Sequence, residues 1–185
     1  MKKSITLFSL FSLFSVLSCF VVGQESLPYK NSDLAEDVRV NDLLSRMTLV
    51  EKIGQMSQYV GPEHIARSEK HMSLEEMQAG DAYGMYPNLH SSQIPKVIKE
   101  GKVGSFLHVV TPQEANRLQQ YASQSRLGIP LIIGIDAIHG NGLVKGATIY
   151  PSPLGMASSW NLDLVRQSSI ETAREVRLNG AHWAF

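Results

Sequence analysis

The chain has 185 residues, of which 43% are hydrophobic and 18% charged, a composition typical of globular proteins. The 17 basic and 17 acidic residues give a formal net charge of zero. The sequence also lacks the basic blocks that mark a nucleic-acid binder. We therefore expect no nucleic-acid partner, and a substrate that local polar groups recognise.

The first 23 residues have the pattern of a secretory signal peptide. Lys2 and Lys3 precede an apolar, serine-rich run from Ile5 to Val22, after which the chain becomes polar. A membrane anchor is the alternative, but this run is barely long enough to span a bilayer and is interrupted by serines. We predict export to the periplasm or the extracellular space.

The single cysteine, Cys19, lies inside this leader. Leu17-Ser18-Cys19 resembles a lipoprotein box, whereas Val21-Val22-Gly23 is compatible with ordinary cleavage. If Cys19 is kept, we expect it to carry lipid at the new N-terminus, and only then would the chain be attached to a membrane. In either case no disulfide is available, so the core must hold the fold.

Residues 24–38 are predicted to be a polar linker and the start of a helical segment. A first helix is predicted over Leu34–Arg46 from apolar residues at helical spacing. A second helix begins after Thr48, because Thr48 and Glu51 have the spacing of a capping box. On its buried face we place Ile53, Met56 and Val60.

From Tyr59 to Gln93 the periodicity weakens, and Gly61-Pro62 acts as a breaker. Within this segment only residues 73–79 are predicted to form a short helix. We interpret the segment as an elaborated loop, for which a solvated insertion is favoured over a ligand-binding surface. The side chains that could contact a ligand there are Tyr83, Tyr86 and Pro87.

Helices and strands then alternate in the rhythm of βα units, which predicts an α/β fold with a parallel sheet. The predicted elements are a helix over Ile94–Glu100, a strand over Val103–Val110, a helix over Pro112–Arg126, a strand over Leu131–Ile135, a short element over Leu154–Ser158, a helix from Asn161 to Leu178, and a strand beginning within Ala181–Phe185. Two strands and the start of a third cannot close a barrel, so we expect a fragment of a longer protein.

The run Leu131–Ile135 is apolar at nearly every position and is followed by Asp136, His139 and Gly140. Such runs belong to strands that are covered on both faces, and these folds carry their chemistry at the carboxyl ends of the strands. Asp136 and His139 are therefore candidates for substrate hydrogen bonding, metal ligation or acid/base catalysis, and a carboxylate at a strand end could accept from two vicinal hydroxyls of a sugar. The alternative is an aspartate that caps the following loop.

Two other kinds of site are conceivable at the same place. A metal site would use His108, Asp136 and His139, but the sequence has no His-x-His pair and no spare cysteine. A phosphate loop would use the glycines of residues 140–146, whose spacing fits neither nucleotide-binding pattern. We predict no metal and no cofactor.

Hydrolysis of a glycosidic bond requires two carboxyl groups that face each other. The remaining candidates, Asp163, Glu171 and Glu175, fall on one predicted helix, where we expect them to favour the helix dipole or to lie on a solvated face. Only Asp136 therefore stands at the carboxyl end of a predicted strand.

Several motifs in register resemble the opening of family 3 glycoside hydrolases, the β-glucosidase group. They are Met47–Met56, Gly101–Ser105, Ile129–Gly140 and the segment from Gly146 through Trp183. The likeness covers Val40 to Phe185 and implies that residues 39–185 are the N-terminal part of a (β/α)8 TIM-like barrel, truncated after two to three βα units.

The resemblance also implies an activity for the full-length protein, the release of β-linked glucose from non-reducing ends of β-glucosides or β-glucans with retention. Asp136 matches the family aspartate that holds glucose hydroxyls, and the family's nucleophile and acid/base residue lie downstream of this sequence. We therefore assign no catalytic residue in this chain and expect the isolated chain to be inactive. A β-xylosidase of the same family and a non-catalytic carbohydrate-binding barrel are the alternatives, and the oligomeric state is not predicted.

Overall fold

The structure is a computed structural model that describes residues 27–69, 75 and 91–185. The predicted signal peptide with Cys19, the predicted contact residues Tyr83, Tyr86 and Pro87, and most of the predicted helix over 73–79 lie outside these residues. The described part falls into two compact units, residues 27–45 and 46–185. No helix in the described ranges combines the length and apolar character needed to cross a bilayer.

The first unit contains a 3-10 turn, Pro28–Lys30, and nearly all of helix α1, Glu36–Arg46. The Tyr29 backbone N–H donates to Asp42 Oδ2 at 3.1 Å, and Arg39 Nε donates to the Tyr29 carbonyl at 3.3 Å. These bonds hold the turn against the helix. The helix predicted over residues 34–46 is confirmed, and it begins two residues later than predicted, at Glu36.

The second unit is built on one parallel sheet. In its described part the strands are β1 (Gln58–Val60), β2 (Ser105–Leu107), β3 (Ile132–Ile135) and β4 (Trp183–Ala184), and the helices are α2 (Leu49–Gln55), α3 (Pro62–Glu69), α4 (Ile94–Lys99), α5 (Pro112–Ser123), α6 (Pro153–Ala157) and α7 (Leu162–Leu178). A 3-10 turn, Ser91–Gln93, precedes α4.

The strands lie in the sheet in the order in which they occur in the chain, β1-β2-β3-β4. All three pairings are parallel, with Leu107 beside both Val60 and Gly134. A sequential order is typical of a (β/α)8 barrel, whereas a doubly wound sheet reverses direction at a switch point. The predicted fold class, an α/β fold with the beginning of a barrel, is confirmed.

Two elements correct the sequence prediction. β1 and α3 lie within the segment from Tyr59 that was interpreted as a loop, so the described sheet has four strands instead of two and the start of a third. A three-residue strand is too short to show a two-residue alternation. Pro62 does not interrupt structure; it is the first residue of α3, where a missing N–H is harmless.

The buried face of α2 also differs from the prediction. α2 ends at Gln55, and Ile53 and Met56 are 52% and 82% exposed, while Val60 lies in β1. The helix instead buries Glu51 and Gly54. A Cβ on Gly54 would collide with the Gly101 carbonyl. This face of α2 therefore packs by close approach of two backbones and buries little apolar side-chain surface.

The core fills the space between the sheet and its helices. Phe106, Ile133 and Ile135 from the strands are completely buried against α4 and α5, which contribute Ile94, Ile98 and Leu118. Ile132 points to the other face of β3 and is 52% exposed. The expectation that every residue of this strand is covered is therefore wrong for Ile132, because helices cover one face of the sheet here.

A hydrogen-bonded ion pair closes the amino end of the sheet. Glu51 and Thr48 form the predicted capping box, and Arg126, after α5, donates to both Glu51 oxygens at 3.0 and 2.6 Å. These hydrogen bonds from Arg126 lower the pKa of the Glu51 carboxyl from 4.5 to about 2. The contact joins the chain entering β1 to the chain entering β3.

Candidate functional site

An open cavity of about 650 Å³ lies at the carboxyl ends of β2 and β3. Its polar lining includes His64, His108, Asp136 and His139. His108 directly follows β2, and Asp136 directly follows β3, so the parallel register brings them to the same edge. This is the edge where (β/α) folds carry binding sites.

Asp136 presents its carboxylate to this cavity. Its side chain is 47% exposed, and Oδ2 lies 3.5 Å from Nε2 of His108. An aspartate that capped the following loop would accept a hydrogen bond from a backbone N–H, and within residues 27–69, 75 and 91–185 no such bond is found. Among the described residues Asp136 therefore does not cap the loop that follows it.

His108 adopts an unusual backbone conformation, with φ at 57° in the left-handed region. For a residue other than glycine such a conformation costs about 1–3 kcal/mol. The His108 N–H donates to the Gly134 carbonyl at 2.9 Å, and a Cβ on Gly61 would lie 2.8 Å from the His108 carbonyl oxygen. Contacts on both sides therefore hold the strained residue in place.

The loop after Asp136 is fastened by the histidine of the motif. His139 Nδ1 lies 2.9 Å from the Tyr150 carbonyl oxygen, and the Tyr150 N–H donates to the His139 carbonyl at 2.8 Å. Because a carbonyl only accepts, Nδ1 carries the proton. Gly140, with φ at 104°, lies so close to the Thr148 carbonyl that a side chain would not fit. Gly140 therefore serves a close backbone contact, and Gly146, with φ at 88°, serves a turn.

The metal ligands considered from the sequence do not assemble into a set. His139 is directed to the Tyr150 carbonyl, while His108 approaches Asp136. Among the side chains that the structure describes, no three of His, Cys, Asp and Glu are placed to hold one ion. We therefore derive no metal chemistry from this site.

Glu114 is a buried carboxyl that the sequence alone did not single out. It is completely buried in the first turn of α5, and its Oε1 accepts from the Glu63 N–H of α3 at 2.8 Å. Burial raises the pKa of this carboxyl above 4.5. Thr111 and Glu114 have the spacing of a capping box, so the sequence could have predicted a structural role for Glu114. Its carboxylate, however, accepts from the backbone of α3 and not from the Thr111 N–H.

Five buried side-chain atoms have no hydrogen-bond partner in the described ranges. They are His108 Nδ1, Glu114 Oε2, both amide atoms of Asn141, and Asn179 Oδ1. Asn179 donates its amide to the carbonyl of Val109, just beyond β2. All four residues therefore belong to, or contact, the segments that follow β2 and β3. Since buried polar atoms are normally paired, this end of the sheet is unusual.

Two of the three other carboxylates considered for catalysis have structural contacts, and the third lies at a helix start. Glu171 pairs with Arg174 at 2.7 Å, and Glu175 accepts from the N–H and hydroxyl of Thr148. Asp163 lies in the first turn of α7, whose cap is Asn161. These contacts match the interpretation of the three residues as helix-surface groups, and none is assigned a role opposite Asp136.

Known proteins share this arrangement of motifs and strands. The family model "Glycosyl hydrolase family 3 N terminal domain" matches residues 48–185. The chain is 34% identical over 154 residues to the periplasmic β-glucosidase of Salmonella typhimurium, an alignment covering 81% of this chain and 16% of that protein.

Two solved structures have the same fold. A β-glucosidase involved in saponin metabolism from intestinal bacteria superposes with a TM-score of 0.53 at 40% identity, over 80% of this chain and 16% of that chain. An exo-1,3/1,4-β-glucanase from a Pseudoalteromonas species superposes with a TM-score of 0.58 at 25% identity, over 80% of this chain and 17% of that one.

The chain thus spans 16–17% of the length of these three proteins. The family match nevertheless extends over most of the chain and includes the helix cap at Thr48, the strand that Asp136 follows and all of β4. The resemblance drawn from the motifs is confirmed, and the chain belongs to the glycosyl hydrolase family 3 N-terminal domain.

Proposed function

We propose that this chain supplies part of the sugar-binding site of a glycosidase acting on β-glucosides or β-glucans. Asp136 would hold hydroxyls of the terminal glucose. The observation that carries the proposal is the exposed carboxylate at the end of β3, which faces an open cavity and is not used to cap its own loop. The names of the similar proteins, β-glucosidases and an exo-β-glucanase, agree with this substrate class.

The cavity combines the two surfaces that a pyranose requires. A sugar offers hydroxyls around its edge and C–H groups on its faces. Asp136 and the neighbouring histidines provide polar partners, while Ile138, Leu143 and Ile149 line the same cavity with 63%, 48% and 62% of their surfaces exposed. Carboxylate hydrogen bonds are about twice as strong as neutral ones, so Asp136 would dominate orientation of the ring.

The complete reaction requires two more carboxyl groups, about 5–5.5 Å apart in a retaining enzyme. One attacks the anomeric carbon as the other protonates the leaving oxygen, and water then releases the sugar from the glycosyl-enzyme. We assign neither role to this chain. A chromogenic β-glucoside should therefore remain uncleaved by the 185-residue chain, and measurable turnover would contradict this assignment.

Export is part of the same proposal. Residues 1–23 would act as a signal peptide, which places the protein in the periplasm or outside the cell, and Cys19 would carry a lipid if it is retained. The relative from Salmonella typhimurium is named as periplasmic. Mass determination of the processed N-terminus distinguishes cleavage after Gly23 from a lipidated Cys19.

The binding step can be tested on the chain as it stands. We expect a titration with methyl β-glucoside, monitored by ligand-observed NMR, to show binding. Asp136→Ala should weaken this binding by about tenfold or more, because charged hydrogen bonds are lost. Glu171→Gln is the matched control, because Glu171 is an exposed helix carboxylate. Equal affinity of the wild type and Asp136→Ala would overturn the proposal. Methyl β-xyloside serves as the comparison for the β-xylosidase alternative.

A further inference from the structure

His108 combines three features that a purely structural residue does not require. Its backbone is in the left-handed region, its ring is 20% exposed at the edge of the cavity, and its Nε2 lies 3.5 Å from Asp136 Oδ2. In the described part of the chain only Trp160 shares this backbone region without being glycine, and Trp160 is 93% exposed. The strain at His108 therefore coincides with the candidate binding carboxylate.

The local backbone holds the imidazole in that position. His108 N donates to the Gly134 carbonyl, and the His108 carbonyl lies against Gly61, where a Cβ would approach to 2.8 Å. Gly134 itself is two residues before Asp136. The hydrogen bond therefore fixes the His108 backbone against β3, the strand that Asp136 follows.

The surroundings of the ring decide which nitrogen carries the proton. A neutral imidazole has one N–H, which can be on Nδ1 or on Nε2. Nδ1 is buried, and within the described ranges it has no hydrogen-bond partner. A proton there would be buried without an acceptor, whereas a proton on Nε2 faces the Asp136 carboxylate.

We propose that His108 is a positioning residue for Asp136. With its proton on Nε2 it faces Oδ2 of the carboxylate at 3.5 Å, close enough to attract it, and leaves the other oxygen to a hydroxyl of the sugar. The carboxylate is then oriented before the sugar arrives, which reduces the ordering that binding requires. The role in sugar recognition rests on the proposed function, while the contact between the two side chains is independent of it.

The contact is tested first without any sugar. Long-range ¹H–¹⁵N NMR spectra of the 185-residue chain at neutral pH should show the His108 ring protonated on Nε2. Asp136→Asn should change the ring resonances, because an amide replaces the carboxylate acceptor. A ring protonated on Nδ1, or unchanged resonances in Asp136→Asn, would overturn the proposal.

The consequence for binding is tested with two substitutions. His108→Ala should weaken binding of methyl β-glucoside by about three- to tenfold, through loss of the polar contact that orients the Asp136 carboxylate. His108→Gln should retain more of the affinity than His108→Ala, because the glutamine amide nitrogen can occupy the place of the imidazole Nε2 and donate to Asp136. Trp160→Ala is the control for an alanine at a left-handed position, and it should leave affinity unchanged.

The two proposals fail in different ways. If the chain binds no methyl β-glucoside but the ring keeps its Nε2 proton and responds to Asp136→Asn, the sugar-binding proposal fails and the positioning contact stands. If the wild type binds and His108→Ala binds equally well, the positioning proposal fails and the role of Asp136 stands. If His108→Ala does not fold, the wild-type ring spectra still decide the contact.

Discussion

The two ends of the parallel sheet differ in how well their polar groups are satisfied. At the amino end, Glu51 accepts from Thr48 and from Arg126, and Gly54 allows backbones to meet without a gap. At the carboxyl end, His108 is strained, and Glu114 and Asn141 keep buried atoms that find no partner among the described residues. Barrel folds concentrate stability at the amino end and chemistry at the carboxyl end, and the satisfied and unsatisfied polar groups of this chain are divided in the same way.

The buried glutamates give the contrast a direction in pH. Hydrogen bonds from Arg126 lower the pKa of Glu51 to about 2, whereas burial raises the pKa of Glu114. The ionised form is stabilised at one end and disfavoured at the other. The free energy of unfolding should therefore depend on pH in opposite directions through Glu51 and through Glu114.

The largest expected effect comes from the close backbone contact at the amino end. Gly54→Ala places a Cβ against the Gly101 carbonyl, and helix and loop must separate to admit it. We expect a loss of about 3 kcal/mol in the free energy of unfolding, the upper range for overpacking, measured by urea denaturation. Gly142→Ala in the loop at the other end is the control, because its Cβ would make only an ordinary contact with Ile149.

The next effect concerns the ion pair at Glu51. Glu51→Gln should reduce the free energy of unfolding by about 1.5–3 kcal/mol at neutral pH, through loss of charged hydrogen bonds. Because the folded-state pKa is lowered from 4.5 to about 2, the stabilisation is complete above pH 4.5 and disappears as pH falls toward 2. A difference between wild type and Glu51→Gln that is constant over this range would contradict the assignment.

Glu114 should show the opposite slope. Its folded-state pKa is raised, so the native chain retains the proton that the unfolded chain releases as pH rises above 4.5. The stability of the wild type should therefore fall relative to Glu114→Gln as pH rises through this region. The fall should be smaller than the effect at Glu51, because the hydrogen bond from the Glu63 N–H opposes the rise in the pKa of Glu114. Parallel stability curves for the two proteins would show that burial does not perturb this carboxyl.

The smallest expected effect is the loss, at low pH, of one hydrogen bond between β3 and the residue before β4. His182 Nδ1 accepts from the Ile133 N–H at 3.2 Å, and burial lowers the pKa of His182 below 6.5. The bond requires an unprotonated Nδ1, so it is complete above pH 6.5 and is lost as pH falls through the lowered pKa. Hydrogen exchange of the Ile133 amide, corrected for intrinsic rates, should accelerate on acidification. The Phe185 amide, which donates to Ile135, is the control.

Sequence reasoning was most successful where the determinants are local. The capping residues Thr48, Thr111 and Asn161 each precede the helix that they predict, because a cap involves neighbours three residues apart. The apolar run before Asp136 likewise predicted a strand with a polar residue at its end. A cap and an apolar run can be identified without knowing the rest of the fold.

The remaining features depend on contacts between distant segments. β1 has three residues and takes its place from pairing with β2, 47 positions further along the register. Glu114 caps a helix 51 residues away, and His108 meets Asp136 only because β2 and β3 are adjacent. The close approach of Gly54 to Gly101 likewise cannot be predicted from the spacing of residues along the chain. No local pattern specifies these pairs.

The most direct measurement is a crystal structure of the 185-residue chain with methyl β-glucoside. The account predicts a glucose ring in the cavity at the ends of β2 and β3, with the Asp136 carboxylate about 2.5–3.0 Å from one or two adjacent hydroxyl oxygens. His108 Nε2 should remain on the other carboxylate oxygen. A sugar bound elsewhere, or bound in this cavity with Asp136 turned away from it, would contradict the account.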